Sequence, residues 1–133
     1  MPTSDSAPQA SPPPQARGAV LVLTTWPADR DPAPFARALV EERLAACVNV
    51  LPEMRSYYRW QGTLQDDAER QVLLKTSADR VDALRARLHA LHPYDVPEFL
   101  VVSIDDGSRS YLDWLFDSVG VHSRAGRAEG EME

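Results

Sequence analysis

The apolar positions of the chain group into periodic segments separated by proline, glycine and charged residues. Residues 18–25, GAVLVLTT, are β-branched and apolar, which predicts a buried strand. Asp31 then offers an N-cap, with Pro32 at the first helical position. Phe35, Leu39, Val40 and Leu44 recur at helical spacing, so a helix is expected through Ala45. CVNVL (47–51) reads as a strand that Pro52 interrupts and MRSYYRW (54–60) resumes. Gln61-Gly62-Thr63 predicts a hairpin turn, and a returning strand runs to Thr76. Asp79 is placed to cap a second helix with Val81, Leu84, Leu88 and Leu91 on one face. His92-Pro93 ends that helix, because the residue before a proline disfavours the helical region. Phe99–Ile104 is the last clear strand. Ser108 is placed to cap a short terminal helix bearing Tyr111, Leu112, Leu115 and Phe116, with Gly120 as its stop.

The order β-α-β-β-α-β plus a helix predicts an α+β fold: the ferredoxin-like, split βαββαβ antiparallel sheet with an extra C-terminal helix. Many unrelated functions use that topology, so it names no activity. Its hairpin is too long for one domain. At ~3.3 Å per residue, residues 47–60 would extend roughly 45 Å. A compact domain of about 100 residues is only roughly 33 Å across. An overhang carrying Tyr57, Tyr58 and Trp60 leaves apolar area and strand edges in water, which predicts that partner chains cover them. The alternative is that Pro52 folds the strand back over its own domain.

Composition narrows the picture. The chain has 133 residues, a single cysteine and a net charge of −6. It is one domain long, and its acidity argues against binding a phosphate backbone. No apolar run approaches the ~20 residues of a membrane span, and the N-terminus lacks the pattern of a secretory signal. The lone cysteine suits a reducing, cytoplasmic setting. Five prolines fall in the first fourteen residues. Residues 1–17 therefore read as a disordered Pro-rich tail, 18–119 as the folded domain, and 120–133 as a second disordered tail.

Five blocks carry a resemblance: ARALVEERLAACVNVLP (36–52), SYYRWQG (56–62), LLKTS (73–77), HPYDVPEFL (92–100) and YLDW (111–114). In order and spacing they resemble the CutA divalent-cation-tolerance family over residues 18–119. That resemblance implies a ferredoxin-like protomer in a tight homotrimer, with long hairpins pairing strands across subunits. It implies a link to tolerance of copper and other divalent metals, and no enzyme reaction.

The candidate ligand residues lie in those blocks. Lys75 is the only lysine beside thirteen arginines. A compact charge with a shiftable pKa is one reason to keep a lysine, and a solvent-facing strand position is the other. Glu98, at the entry to the last strand, is expected to approach Lys75, either to bind a small zwitterion or anion or to form a structural ion bridge across a subunit junction. Tyr58, Trp60, Tyr94 and Tyr111 read either as packing or as pocket walls. Tyr58 and Trp60 share strand parity, and with Tyr111 and Lys75 they could wall a cleft between protomers.

For a metal the donors are few. Cys47 follows Leu44-Ala45-Ala46 and reads as a buried small hydrophobe. His92 matches the family's His-Pro-Tyr block. Some family members offer a cysteine in the first strand and a second histidine before this one, where this chain has Thr24 and Leu91. His89 and His92, three apart near a helix end, form a substitute pair suited to Cu²⁺, and Asp95 could complete a weak site. His122 lies in the tail and is set aside.

The chain has no Gly-rich phosphate loop, no H-E-x-x-H and no C-x-x-C. The missing thiolate pair separates it from ferredoxin-like copper chaperones. The glycine-free segment after the first strand separates it from acylphosphatase. The first expectation is thus a trimer acting in metal tolerance that binds Cu²⁺ or another ligand weakly at subunit junctions, without a tightly bound cofactor. The alternatives are a small-molecule-sensing module like trimeric ferredoxin-like regulators, a scaffold whose tail recruits partners, or an enzyme using Lys75, Glu98 and Tyr111.

Overall fold

A computed structural model of the chain describes residues 18–120. Both predicted tails, apart from Gly120, lie outside the described residues. The strands are β1 (Ala19–Pro27), β2 (Cys47–Trp60), β3 (Thr63–Ser77) and β4 (Leu100–Ser103). The helices are α1 (Ala33–Glu41), α2 (Val81–Leu91) and α3 (Arg109–Val119). One sheet in the order β2-β3-β1-β4, antiparallel at each junction, joins them. This is the α+β topology read from the sequence.

Alternation along the strands divides the sheet into two faces. Val20, Val22 and Trp26 of β1, with Val72 and Leu74 of β3, meet Phe35 and Leu39 of α1 and Leu84 and Leu88 of α2 in the main core. Trp26 stacks on Phe35 with ring centroids 4.4 Å apart. The opposite face is covered only at one end. There α3 sets Leu112 against Ala19, and Leu115 and Val119 against Ala46.

Local chemistry moved several boundaries. α1 stops at Glu41, not Ala45, because Arg43 adopts a left-handed backbone (φ 60°), and the amides of Leu44 and Ala45 turn back to the Leu39 carbonyl. Leu44 still reaches the core, but from the turn. Asp31 accepts from the Ala33 amide at 3.0 Å, one residue before the position expected of a helix cap. Asp79 does not cap α2: its carboxylate accepts from the Ser77 hydroxyl, and a 3-10 turn, Ala78–Arg80, precedes the helix. Ser108 holds the N-cap position of α3 in an extended conformation, without a side-chain cap bond, and Gly120 ends the helix without entering the left-handed region.

Pro52 does not interrupt the strand. β2 runs unbroken past it through a bulge: Val50 faces Val72 and Glu53 faces Arg70, so β2 carries one extra residue there. Proline is tolerated because β2 is an edge strand. The extra residue inverts the strand's parity. Val48 and Val50 face the helices, whereas Met54, Ser56, Tyr58 and Trp60 face the other way, in phase with Asp67 and Glu69 of β3.

The hairpin overhangs as expected. β1 pairs β3 only as far as Pro27 opposite Glu69, and the strands continue to the turn with each other as partners. Gln61 and Gly62, both at positive φ, form a two-residue turn that leaves Thr63 paired with Trp60. Tyr57 and Leu64 on this arm are 68% and 70% exposed.

Candidate functional site

The open face of the sheet bears a cleft of about 620 Å³ where the base of the overhanging arm meets the segment following α2. β2 supplies Met54, Tyr58 and Trp60 because the bulge turned them to this face. β3 supplies Asp67, Glu69 and Gln71, alternate residues of one strand face. The turn after His92 supplies Tyr94, Asp95 and Glu98. Four carboxylates line the cleft, and no lysine, arginine or histidine does.

Each inner carboxylate is held by neutral donors. Glu69 is 6% exposed, and its Oε2 accepts from the Tyr94 hydroxyl at 2.6 Å and from the Thr25 hydroxyl at 3.4 Å. Tyr58 donates to Asp67. Gln71 Nε2 donates to Glu98 at 2.9 Å and to the Thr24 carbonyl at 2.7 Å, tying the 94–98 turn to the sheet. These contacts keep both phenols protonated. The hydrogen bond to Asp67 raises Tyr58 to about 12, and burial followed by the Glu69 contact raises Tyr94 further.

The structure thus gathers Tyr58, Trp60, Tyr94 and Glu98 in one place. Lys75 and Tyr111 lie elsewhere. Lys75 Nζ stands 5.8 Å from the centroid of the Tyr111 ring, beside Trp114, whose ring is 5.3 Å from that of Tyr111. Within the chain Lys75 does not pair with Glu98. Glu98 is bound to Gln71, four residues along β3 from Lys75, a separation of about 13 Å at strand rise.

His92 and His89 do not form a metal-binding pair within this chain. His92 is buried against Trp26 at 5.0 Å and Tyr94 at 4.8 Å. Its Nδ1 accepts from the Tyr94 amide at 3.0 Å, so its Nε2–H donates to the Thr25 carbonyl at 2.6 Å. No ring lone pair is left for a metal. Burial also lowers its pKa, which keeps the ring neutral. His89 is exposed on α2, its Nδ1–H donating to the Arg85 carbonyl at 2.9 Å. The backbone at His92 is extended, which breaks the helical spacing the pair needed. Among the described residues no three His, Cys, Asp or Glu side chains come together to hold a metal ion. Cys47 is half-buried rather than buried, with Sγ 3.7 Å from Asn49 Oδ1. Thr24 is fully buried, and its hydroxyl has no partner among the described residues.

The sequence reading passed over Asp67, Glu69 and Gln71. Periodicity did not single them out, because residues 65–71, QDDAERQ, are polar on both strand faces apart from Ala68. Their importance depends on a bulge that sequence parity did not predict.

The chain's relatives are consistent in kind. The pattern of the "CutA1 divalent ion tolerance protein" family matches residues 20–118. A "Divalent-cation tolerance protein CutA" of Thermus thermophilus is 48% identical over 100 residues, covering 75% of this chain and 97% of that protein. One of Pectobacterium atrosepticum is 44% identical over 97 residues, covering 73% and 88%. Among solved structures, the Thermus thermophilus protein superposes with a TM-score of 0.73 at 47% identity, covering 77% of this chain and 99% of that one. CutA1 of Oryza sativa gives 0.75 at 37% identity, covering 80% and 97%. In these comparisons as in the fold, the chain belongs to the CutA1 divalent ion tolerance protein family.

Proposed function

We propose that this protein acts in divalent-metal tolerance as a cytoplasmic homotrimer, holding Cu²⁺ or another small ligand weakly at clefts that its subunit junctions complete. The observation that carries the reading is the carboxylate cleft without a basic side chain, at the root of an arm that one chain leaves uncovered. A buried carboxylate with only neutral partners, here Glu69, favours an incoming cation. At this cleft one chain offers oxygen donors and the Met54 thioether, so binding is weak and exchangeable unless a partner adds donors. The role requires no chemical transformation, and no helix among the described residues is long and apolar enough to cross a membrane.

Titration calorimetry with Cu²⁺ on tag-free protein, its mass fixed by light scattering in the same sample, tests this. A trimer that takes about one Cu²⁺ per protomer, with affinity reduced in Glu69→Gln, supports it. A monomer, or a trimer silent at roughly 100 μM Cu²⁺, removes it.

A second reading has its own observation. Lys75 forms no ion pair among the described residues and faces the Tyr111–Trp114 pair, an arrangement suited to a small anion. A trimer that senses such a ligand would be stabilised by it, and Lys75→Ala would abolish the effect. A thermal-shift screen of anionic metabolites decides the point.

A further inference from the structure

We infer that His92 is a pH-operated latch, whose neutral ring fastens the strap of residues 93–98 to the sheet and whose protonation releases it. The latch does not depend on what the cleft binds. Its first support is a conflict at one atom. Pro93 has no N–H, so Tyr94 carries the first backbone donor after His92. That amide donates to His92 Nδ1 at 3.0 Å, and the other ring nitrogen donates to the Thr25 carbonyl at 2.6 Å. A second proton can enter the ring only at Nδ1, where it would set one N–H against another. Charging His92 therefore breaks the bond to Tyr94.

The second support is how the strap is otherwise held. Among the described residues, none of the backbone hydrogen bonds made outside helices and strands involves residues 93–99. Two side-chain bonds tie the strap to β3, Tyr94 to Glu69 and Gln71 to Glu98. Release at the Tyr94 amide thus frees the residue whose phenol forms one of those two ties. The third support is the ring's enclosure. His92 lies edge-on to Trp26 at 5.0 Å and to Phe35 at 6.1 Å, and tilted against Tyr94 at 4.8 Å. Glu69, facing from β3, favours the imidazolium, His89 on α2 opposes it, and burial outweighs both. The ring stays neutral while the strap is closed and charges when it opens. These contacts lie within one protomer, so a partner that covers the cleft leaves them in place.

Amide hydrogen exchange followed by NMR on the full-length chain, from pH about 8 to about 5, is the test. An opening linked to one proton grows about tenfold per pH unit below the ordinary imidazole value of about 6.5. The protection factor of the Tyr94 amide should be level above that value and fall about tenfold per unit below it. Glutamine takes up no proton, so His92→Gln should make the profile level throughout, whereas His89→Gln should keep the fall. The amides of Val22 and Leu74, in the central strands, should exchange far more slowly than that of Tyr94, as a local opening requires. Should His92→Gln fail to fold, the ring nitrogen shifts of the unmodified protein decide, because an imidazolium that forms while Tyr94 stays protected overturns the proposal. A level profile in the unmodified protein, a fall that persists in His92→Gln, or exchange at Tyr94 no faster than at Val22 and Leu74 overturns it equally.

Discussion

Tyr94 reaches across the cleft to donate its phenolic hydrogen to Glu69 at 2.6 Å, joining the turn after α2 to the middle of β3. The bond satisfies a buried carboxylate and fixes the wall that carries Asp95 and Glu98. Glu69 would otherwise keep only the long contact from Thr25. Tyr94→Phe removes the hydroxyl without changing the ring. The expected cost is about 1–3 kcal/mol of unfolding free energy, because a buried acceptor loses its better donor. Urea denaturation of the two proteins measures it, and equal midpoints would refute the assignment.

His92 gives a pH dependence of definite sign. Burial lowers its pKa in the folded protein. The unfolded chain therefore binds a proton at higher pH than the folded one. The contribution of the neutral, doubly bonded ring is full above the unfolded value of about 6.5 and is lost as pH falls through that value toward the folded one. Denaturation midpoints from pH about 8 to about 5 should fall, and the fall should shrink in His92→Gln. Midpoints that rise on acidification would show the wrong sign.

The two residues of the hairpin turn should respond oppositely to substitution. Gly62 has φ +79° with open space around it, so Gly62→Ala meets only backbone strain and should cost about 1 kcal/mol. Gln61 has φ 50°, a region that asparagine tolerates better, so Gln61→Asn should stabilise by a few tenths to about 1 kcal/mol. Thermal melts of both variants settle the signs.

Leu39 and Leu88 are fully buried in the main core, on α1 and α2. Leu39→Ala or Leu88→Ala should each cost about 2–5 kcal/mol by cavity formation. Tyr57→Ser, on the exposed arm, should leave the protomer's core intact while lowering the mass seen by light scattering if the arm is a subunit contact. An unchanged mass and unchanged stability would place Tyr57 outside any interface.

The sequence exposed the topology well because periodicity is a property of each segment alone. The leucines of α2 and the valines of β1 carry it without help from neighbours. Boundaries set by capping were less legible. Asp79 and Ser108 are both good cap residues, yet one hydroxyl, Ser77, claims Asp79, and Ser108 makes no cap bond with its side chain. The site was half legible. Tyr58, Trp60, Tyr94 and Glu98 were visible through their blocks, and they do assemble. Lys75 was expected to approach Glu98, but within one chain Glu98 is bound to Gln71, four residues along β3 from Lys75. His92 carries a residue type that suits metals, and only the fold reveals that both its nitrogens are spent on backbone.

The surplus residue at the β2 bulge has an electrostatic consequence. Past it, Arg55, Tyr57 and Arg59 occupy one side of the arm and Ser56, Tyr58 and Trp60 the other, with Asp67 and Glu69 on the second side. Deleting Pro52 would restore continuous phase and rotate every later side chain of β2 to the opposite side. Two guanidinium groups would then stand among the carboxylates, and the cleft would trade a negative potential for a self-neutralised one. The sign of the field in this cleft is therefore set by how many residues precede Tyr58 in the strand as much as by which residues they are.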